Sequence, residues 1–518
     1  MRAQVQNLVG ETSGKIGGYQ ANYEREFRRR WTVASREELL TRLRRARLIY
    51  LADFHALKQS QKAQLRVLRG LKLKPGSVLA VEFFEIKQQR LIDRFTSGKM
   101  SEREFLKAIK WQQRWGFPWD HFRPLIRWAV KNSIRVVGLN EWTSDRSVHT
   151  LVRRDRAAAR RIVEFLHRYQ KQQMVVVFGD WHLAKAHLPL QVEKLLKEPI
   201  DAVRVFQNSE RIFFQLLEKD MDIQTDVVRL GRSSFCLMSV PPWVKWQNYL
   251  MDLEEQTDKE LEEPEGLDYS DYVDRYLHVL CHDLNVKSLV GTTPIRTARD
   301  DLIWSQIHQH YSLSQSQWLE KLIEEGRSFY LPEIGVGYLG RLSVNSAAAL
   351  ATSILHHAIS ESKKTHFDMP EDFQKLIWSE AIQYLGSKLI NPKRKTETIN
   401  DIKQALASRN PQDQGREALR LALAQKMHEL IWMNQGRKAR VLPRPRRKKS
   451  YREAAQLLGG MLGEKLFNGY RKKMAGQSVL QKFIQFNMED QDFSSFYLEA
   501  VEFIENLPDP FLSKTEKM

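Results

Sequence analysis

The stretch MVVVFGDWHLAKAHLP, residues 174–189, constrains the fold more than any other. Four apolar residues, Met174 to Val177, lead through Phe178 to a Gly179 turn and then to Asp180-Trp181-His182. A buried strand that ends on glycine, with polar side chains just beyond, is where open α/β sheets place their sites. The same grammar occurs in LIYLADFH, residues 48–55, which also closes on Asp-x-His. In extended backbone a spacing of two puts both side chains of each pair on one side, Asp53 with His55 and Asp180 with His182.

Between 41 and about 207 the pattern alternates. Strands are expected at 48–54, 77–84 (SVLAVEFF), 134–142 (IRVVGLNEW), 174–178 and 202–206, with helices between them. Among those helices, SEREFLKAIKWQQRW opens on a Ser101/Glu104 capping box. WDHFRPLIRWAVKNS carries Phe122, Leu125, Ile126, Ala129 and Val130 on one stripe. Strands separated by helices pair in parallel through right-handed crossovers, so this segment reads as α/β. RIFFQLL and VVRLGRSSFCLMSV, past 210, are expected to add antiparallel strands at one edge, before Pro241-Pro242 opens a helix. From about 270 the long segments are helical, with 328–345 strand-like. The expected division is a helical lead-in at 1–40, an α/β domain at 41–250, a helical linker region at 251–345 with a short strand segment, and a helical domain at 346–518.

A chain of 518 residues exceeds one ordinary core. Thirteen tryptophans and 42% hydrophobic residues argue for folded domains rather than disorder. No apolar run is long enough for a membrane span, and the first residues lack a secretory h-region, so a cytoplasmic setting is expected. Two cysteines, Cys236 and Cys281, are too few for a disulfide framework or a cysteine-based zinc site. The net charge of +19 is spread along helices and concentrates in GRKARVLPRPRRKK, residues 436–449, which marks a candidate contact for an anionic partner.

The polar groups at the carboxyl ends of the expected strands are Asp53, His55, Glu82, Glu85, Asn140, Asp180 and His182. Glu82 interrupts an apolar central strand, and a buried carboxylate is costly unless paired, protonated or bound to a cation. Two imidazoles with carboxylates suit a divalent first-row metal (Mn, Zn or Fe), with His55, His182 and Glu82 as ligands. They equally suit metal-free general base chemistry, with an acid fixing the imidazole tautomer. The expected roles are catalytic for His55, Glu82 and His182, and binding for Asp53, Asp180, Glu85 and Asn140. His187, before Leu188-Pro189, is expected to cap or support.

A series of motifs then carries a family resemblance: LADFH, AVEFFE followed by Gln88 and Gln89, WQQRWGFPWDHFRPLIRWA, VVGLN, the Arg154-Asp155 pair of RRDRAAARRI, and FGDWHLAKAHLP. Over about 41–215, extending to about 250, the chain resembles the ChaN-like domain of haem-binding uptake proteins in the Tiki superfamily, related to TraB/Tiki proteins and erythromycin esterases. The resemblance implies a parallel-sheet fold, haem as a ligand, and a histidine and glutamate theme that falls on His55, Glu82, Gly179 and His182. The family usually writes the first motif with Gly and Glu, where this chain has Ala52 and Asp53, one methylene shorter in reach. Three readings follow. One is a metal-dependent or His-based hydrolase acting on a small-molecule or peptide-like ligand. Another is a haem binder with Trp111, Trp115, Phe117 and Trp119 along a cleft. The last is an interaction module using its basic helical region.

Overall fold

The computed structural model describes residues 13–143, 147–260, 269–287, 293–297, 300, 302–363, 367–409, 413–436 and 443–510. The chain divides into two compact units, Met1–Leu253 and Glu254–Lys517. The first is α/β and the second is mainly helical.

The first unit is built on an eight-stranded sheet. Its strands are β1 (Thr32–Val33), β2 (Leu48–Asp53), β3 (Val78–Glu85), β4 (Arg135–Asn140), β5 (Met174–Gly179), β6 (Ala202–Gln207), β7 (Val227–Gly231) and β8 (Ser234–Leu237), in the order β1-β7-β8-β6-β2-β5-β3-β4. The pairs from β8 through β4 are parallel, and β7 joins β8 and β1 antiparallel. The chain runs from β2 outward to β3 and β4, then returns to lay β5 directly against β2. Strand order therefore reverses at β2 and β5, and open α/β sheets hold ligands beyond the carboxyl ends of strands at such a point.

Two-residue periodicity divides each strand between two cores. Ile49, Leu51, Leu79, Val81, Val175, Val177 and Val205 face one, where α3 (Lys58–Leu71) and α7 (Trp119–Lys131) pack. Leu48, Tyr50, Ala52, Ala80, Val176 and Phe178 face the other, with α8 (Val148–Arg168) and α9 (Leu188–Leu195). With helices on both faces, the strands carry apolar side chains on both sides, which is why they read as continuous apolar runs. The register of β3 on β4 shifts between Val81 and Glu85, and Phe83 and Phe84 both enter the same core. A bulge of this kind re-aims side chains, and here it separates Glu82 from Glu85. Gly138 on β4 permits the close approach, since a Cβ there would lie 2.5 Å from the Glu85 carbonyl oxygen.

One expected strand is a helix instead. RIFFQLL forms α10 (Glu210–Leu217), which buries Ile212, Phe213 and Leu216 on one side. That i, i+1, i+4 spacing is helical, and Phe214 is left out in solvent. The hairpin β7–β8 fills the sheet edge that this segment was expected to share. α11 (Pro242–Glu260) follows, and the boundary between the units falls within it.

In the second unit, helices Phe373–Ile390 and Lys448–Arg471 pack closely, with Gly459 and Gly463 against the backbone of the facing helix. A three-stranded sheet is made by Ile295–Arg296, Phe329–Leu331 and Val336–Tyr338. Of the basic stretch 436–449, residues 437–442 lie outside the described residues.

Candidate functional site

β2 and β5 are in register, with Asp53 opposite Gly179. The chain beyond Asp53 bends back toward α3, which returns His55 over the strand end. Its Nδ1 lies 2.7 Å from Asp53 Oδ2. Asp53 Oδ1 accepts from Gln61 Nε2 at 2.6 Å, Gln64 Nε2 at 2.8 Å and Ser60 Oγ at 3.3 Å. A carboxylate held by that many donors is fixed in place and orients the ring above it. His55 Nε2 is thereby turned toward Glu82, 3.8 Å from Oε2. Burial alone pulls the imidazole pKa down, but the Asp53 hydrogen bond and the Glu82 and Asp53 charges outweigh it, leaving it raised above 6.5. The side chain of His55 is 25% exposed and lies against Trp115 and Phe117, with ring centroids at 4.6 and 5.4 Å.

Glu82 is the anchored centre of the group. Its side chain is 3% exposed, Oε2 accepts from the Gly179 backbone N–H at 2.6 Å, and Oε1 is paired with the Arg154 guanidinium of α8. Burial would raise this carboxyl, yet Arg154, the two imidazoles and the Gly179 N–H hold it below the usual range. Arg154 Nε also donates to Asn140 Oδ1 at 3.2 Å, which ties β4 to the same point. Gly179 sits among all three principal side chains. A Cβ there would be 3.2 Å from Glu82 Oε2, 3.4 Å from His182 Cδ2 and 3.5 Å from His55 Nε2.

His182 reaches this centre by another route. Residues Asp180–Leu183 form a 3-10 turn rather than extended backbone, so the second Asp-x-His does not pair with itself. His182 Nδ1 instead meets Asp155 Oδ1 of α8 at 2.6 Å. The Tyr19 hydroxyl of α1 (Ser13–Arg25) donates to Asp155 Oδ2 at 2.7 Å and lies 2.8 Å from the same ring nitrogen. Asp180 turns away toward Tyr23 Oη, at 3.5 Å, and its Oδ1 is buried without a partner. Burial, the largest cause, pushes its carboxyl up to about 7.

Of the remaining expected residues, Glu85 stands apart from the centre. It binds Gln88 and forms ion pairs with Arg114 at 2.8 Å and Lys87 at 3.1 Å. With Arg114, Trp111, Trp115, Phe83 and Asn140 it lines a small, half-open hollow. His187, at the start of α9, makes no side-chain cap; its Nδ1 lies 2.6 Å from the Trp181 carbonyl oxygen, and its ring stacks on Tyr19 at 3.5 Å. Trp111 is buried in the core, whereas Trp115, Phe117 and Trp119 pack partly buried around it. Among the described residues no group of three or more His, Cys, Asp and Glu side chains is arranged to hold a metal ion. Of the expected ligands His55, His182 and Glu82, the last is paired with the Arg154 guanidinium.

Sequence reasoning gave no role to Arg154, Asp155 or Tyr19. Asp155 was legible as an acid on the apolar face of α8, sharing the Ala158, Ala159 and Ile162 stripe. Tyr19 carried no such signal, because its partners are 136 and 163 residues away.

The fold and rim define a parallel-sheet protein with a paired-imidazole centre at its topological switch. Residues 39–144 match the family described as haem-binding uptake, Tiki superfamily, ChaN. Two solved structures are similar: ChaN of Campylobacter jejuni with cofacial haem, at 13% identity and TM-score 0.26, covering 34% of this chain and 87% of that one; and the type III effector HopBA1, at 13% identity and TM-score 0.25, covering 34% and 86%. No curated protein matches the chain. Among the described residues, no helix is long and apolar enough to cross a membrane.

Proposed function

We propose that the rim is a metal-free hydrolytic centre in which His55 is the general base toward water and His182 the acid toward the leaving group. The observation that carries this reading is the pairing of each imidazole, through Nδ1, with a buried carboxylate, Asp53 or Asp155. Such a hydrogen bond keeps a hydrogen on Nδ1 and leaves Nε2 as the working nitrogen, bare on His55 to take the proton of water and protonated on His182 to give one to the leaving group. Arg154, held in place by Glu82 and Asn140, is the cation available where an oxyanion develops. The substrate class is a small ester, amide or peptide-like carbonyl compound. In this reading Asp53 and Asp155 position the bases, and Asn140 positions Arg154.

Haem is the ligand that the family description favours. The residues do not fit it at this rim. An axial histidine needs its free nitrogen directed into an apolar slot, whereas His55 Nε2 faces the Glu82 carboxylate. The adjoining hollow sets Glu85, Gln88, Arg114 and Asn140 among its aromatic side chains, so it is not an apolar slot either.

The test is hydrolysis of a panel of aryl esters and chromogenic amides by the full chain, with and without chelator. The expected result is chelator-insensitive turnover that falls about 100-fold or more in His55→Ala and His182→Ala. No turnover, or turnover that chelator abolishes, overturns the reading. Haemin titration runs alongside, and a Soret shift lost in His55→Ala would put haem in its place.

A further inference from the structure

The two carboxylates that hold the imidazoles are not equally secured. Asp53 takes Ser60, Gln61 and Gln64 from α3, the helix that follows its own strand. Asp155, 1% exposed, has two hydrogen-bond partners among the described residues, His182 and Tyr19. A buried carboxylate is costly unless its oxygens are bonded. Asp155 therefore depends on one hydroxyl for the oxygen that His182 does not use, and that hydroxyl comes from α1, 136 residues away.

The sequence of α1 and the turn after it suits this delivery. Tyr19, Asn22, Tyr23 and Glu26 follow i, i+3, i+4, i+7 and so share one face. All four meet the segment 180–187. Tyr23 Oη lies 3.5 Å from Asp180 Oδ2, and Glu26 Oε1 accepts from the Lys185 backbone N–H at 2.7 Å and from Arg204 at 2.6 Å. The Tyr19 ring stacks on His187, with centroids 3.5 Å apart and planes 9° from parallel. His187 is itself held at both nitrogens. Its Nδ1 carries the hydrogen, because the partner 2.6 Å away is the Trp181 carbonyl oxygen, which only accepts. Its Nε2 then accepts from Asn22 Nδ2 at 3.3 Å.

The hydrogens around His182 can be counted from this platform. The Tyr19 hydroxyl donates to Asp155 Oδ2 at 2.7 Å, which leaves its oxygen as an acceptor. His182 Nδ1 lies 2.6 Å from Asp155 Oδ1 and 2.8 Å from that hydroxyl oxygen. A hydrogen on Nδ1 thus has two acceptors, whereas a lone pair there has no donor. The triangle fixes the ring plane and the tautomer together.

We infer that Tyr19 is a positioning residue for His182, acting with Asp155 to hold that ring as the acid of the site. The kinetic consequence rests on the hydrolytic reading above; the placement of the ring does not. Without the hydroxyl, Asp155 and His182 keep only each other, and the ring is free to tilt. A misplaced acid slows the step that needs it. An amine leaves only with a proton, and a phenolate leaves without one, so the leaving group reports on His182.

The test uses Tyr19→Phe in the full chain, which keeps the ring and its stack on His187. For chromogenic amides kcat is expected to fall about tenfold or more with KM within about twofold, and the fall for aryl esters to be several times smaller. An equal loss on both classes, or no loss on the amides, overturns the inference. In histidine-labelled protein the Nδ1–H signal of His182 is expected to shift in Tyr19→Phe while that of His55 stays in place. An unmoved His182 signal overturns the inference whatever the kinetics. Should Tyr19→Phe fail to fold, Asn22→Ala, which frees the His187 ring against Tyr19, is expected to move the same signal, and no movement there overturns it. A shifted His182 signal in a protein without turnover sinks only the hydrolytic reading, and turnover with an unmoved signal sinks only this one.

Discussion

The rims of β2 and β5 start from the same three-residue pattern and end differently. At β2 the acid and the imidazole two residues on bind each other, 2.7 Å apart. At β5 a 3-10 turn separates Asp180 from His182, and each takes its partner from elsewhere in the fold. The difference lies in the backbone after the strand and in what α8 and α1 bring to it. Local spacing supplied one carboxylate–imidazole pair, and tertiary packing supplied the other. Both routes give an Nδ1-held ring beside Glu82.

The largest effect that would break this comparison comes from the element common to both rims. Glu82→Leu leaves Arg154 unpaired and removes the acceptor of the Gly179 N–H. Loss of one partner of a buried pair costs about 3–5 kcal/mol, and urea denaturation at pH 7 should read a loss of that size. A loss under about 1 kcal/mol would mean that Glu82 does not anchor the centre.

Asp180 distinguishes the β5 rim by pH. Its folded carboxyl titrates near 7, well above the unfolded value of about 4. The folded state therefore binds the proton more tightly. The resulting stability is complete below about pH 4 and is lost as pH rises through 7, on the order of 4 kcal/mol. Asp180→Asn should flatten that decline between about pH 4 and 7. An unchanged slope would show that other groups set it. His55, raised above 6.5, has the same sign: its contribution is full below the unfolded value and disappears as pH rises through the folded one.

Gly179→Ala sharpens the comparison by pressing on both imidazoles at once. Its φ of −52° suits alanine, so the cost is contact rather than strain. The new methyl would meet Glu82, His182 and His55 at 3.2–3.5 Å, and crowding of this kind costs about 1–3 kcal/mol. Thermal denaturation should show it, with the histidine ring resonances of both rims displaced. A shift in only one ring would separate the two halves of the centre.

The smallest expected effect belongs to Tyr19. Tyr19→Phe removes one donor to the Asp155 carboxylate while His182 remains its partner, for a loss of about 1.5 kcal/mol by denaturation. His55 resonances should stay in place, because Tyr19 touches only the β5 side. Movement at His55 would mean the rims are coupled beyond Glu82.

The sequence made the parallel alternation readable because strands buried on both faces are continuously apolar. It also marked the Asp53–His55 pair and the lone Glu82. What it hid depended on contacts far along the chain, such as Asp155 under His182 and Tyr19 above both. The β5 pair misled because Asp180-Trp181-His182 was read with strand geometry, while Gly179 ends the strand and a turn begins. RIFFQLL misled because seven mostly apolar residues fit either a strand or a short helix, and length alone does not arbitrate.

The most direct measurement is nitrogen-15 NMR of the imidazoles in histidine-labelled protein, assigned with His55→Asn and His182→Asn. Above their titration midpoints, both rings should carry the proton on Nδ1 and a bare Nε2. Either ring with its proton on Nε2 and Nδ1 bare would contradict the account, since a carboxylate cannot hold an imidazole through a nitrogen that has no hydrogen to donate.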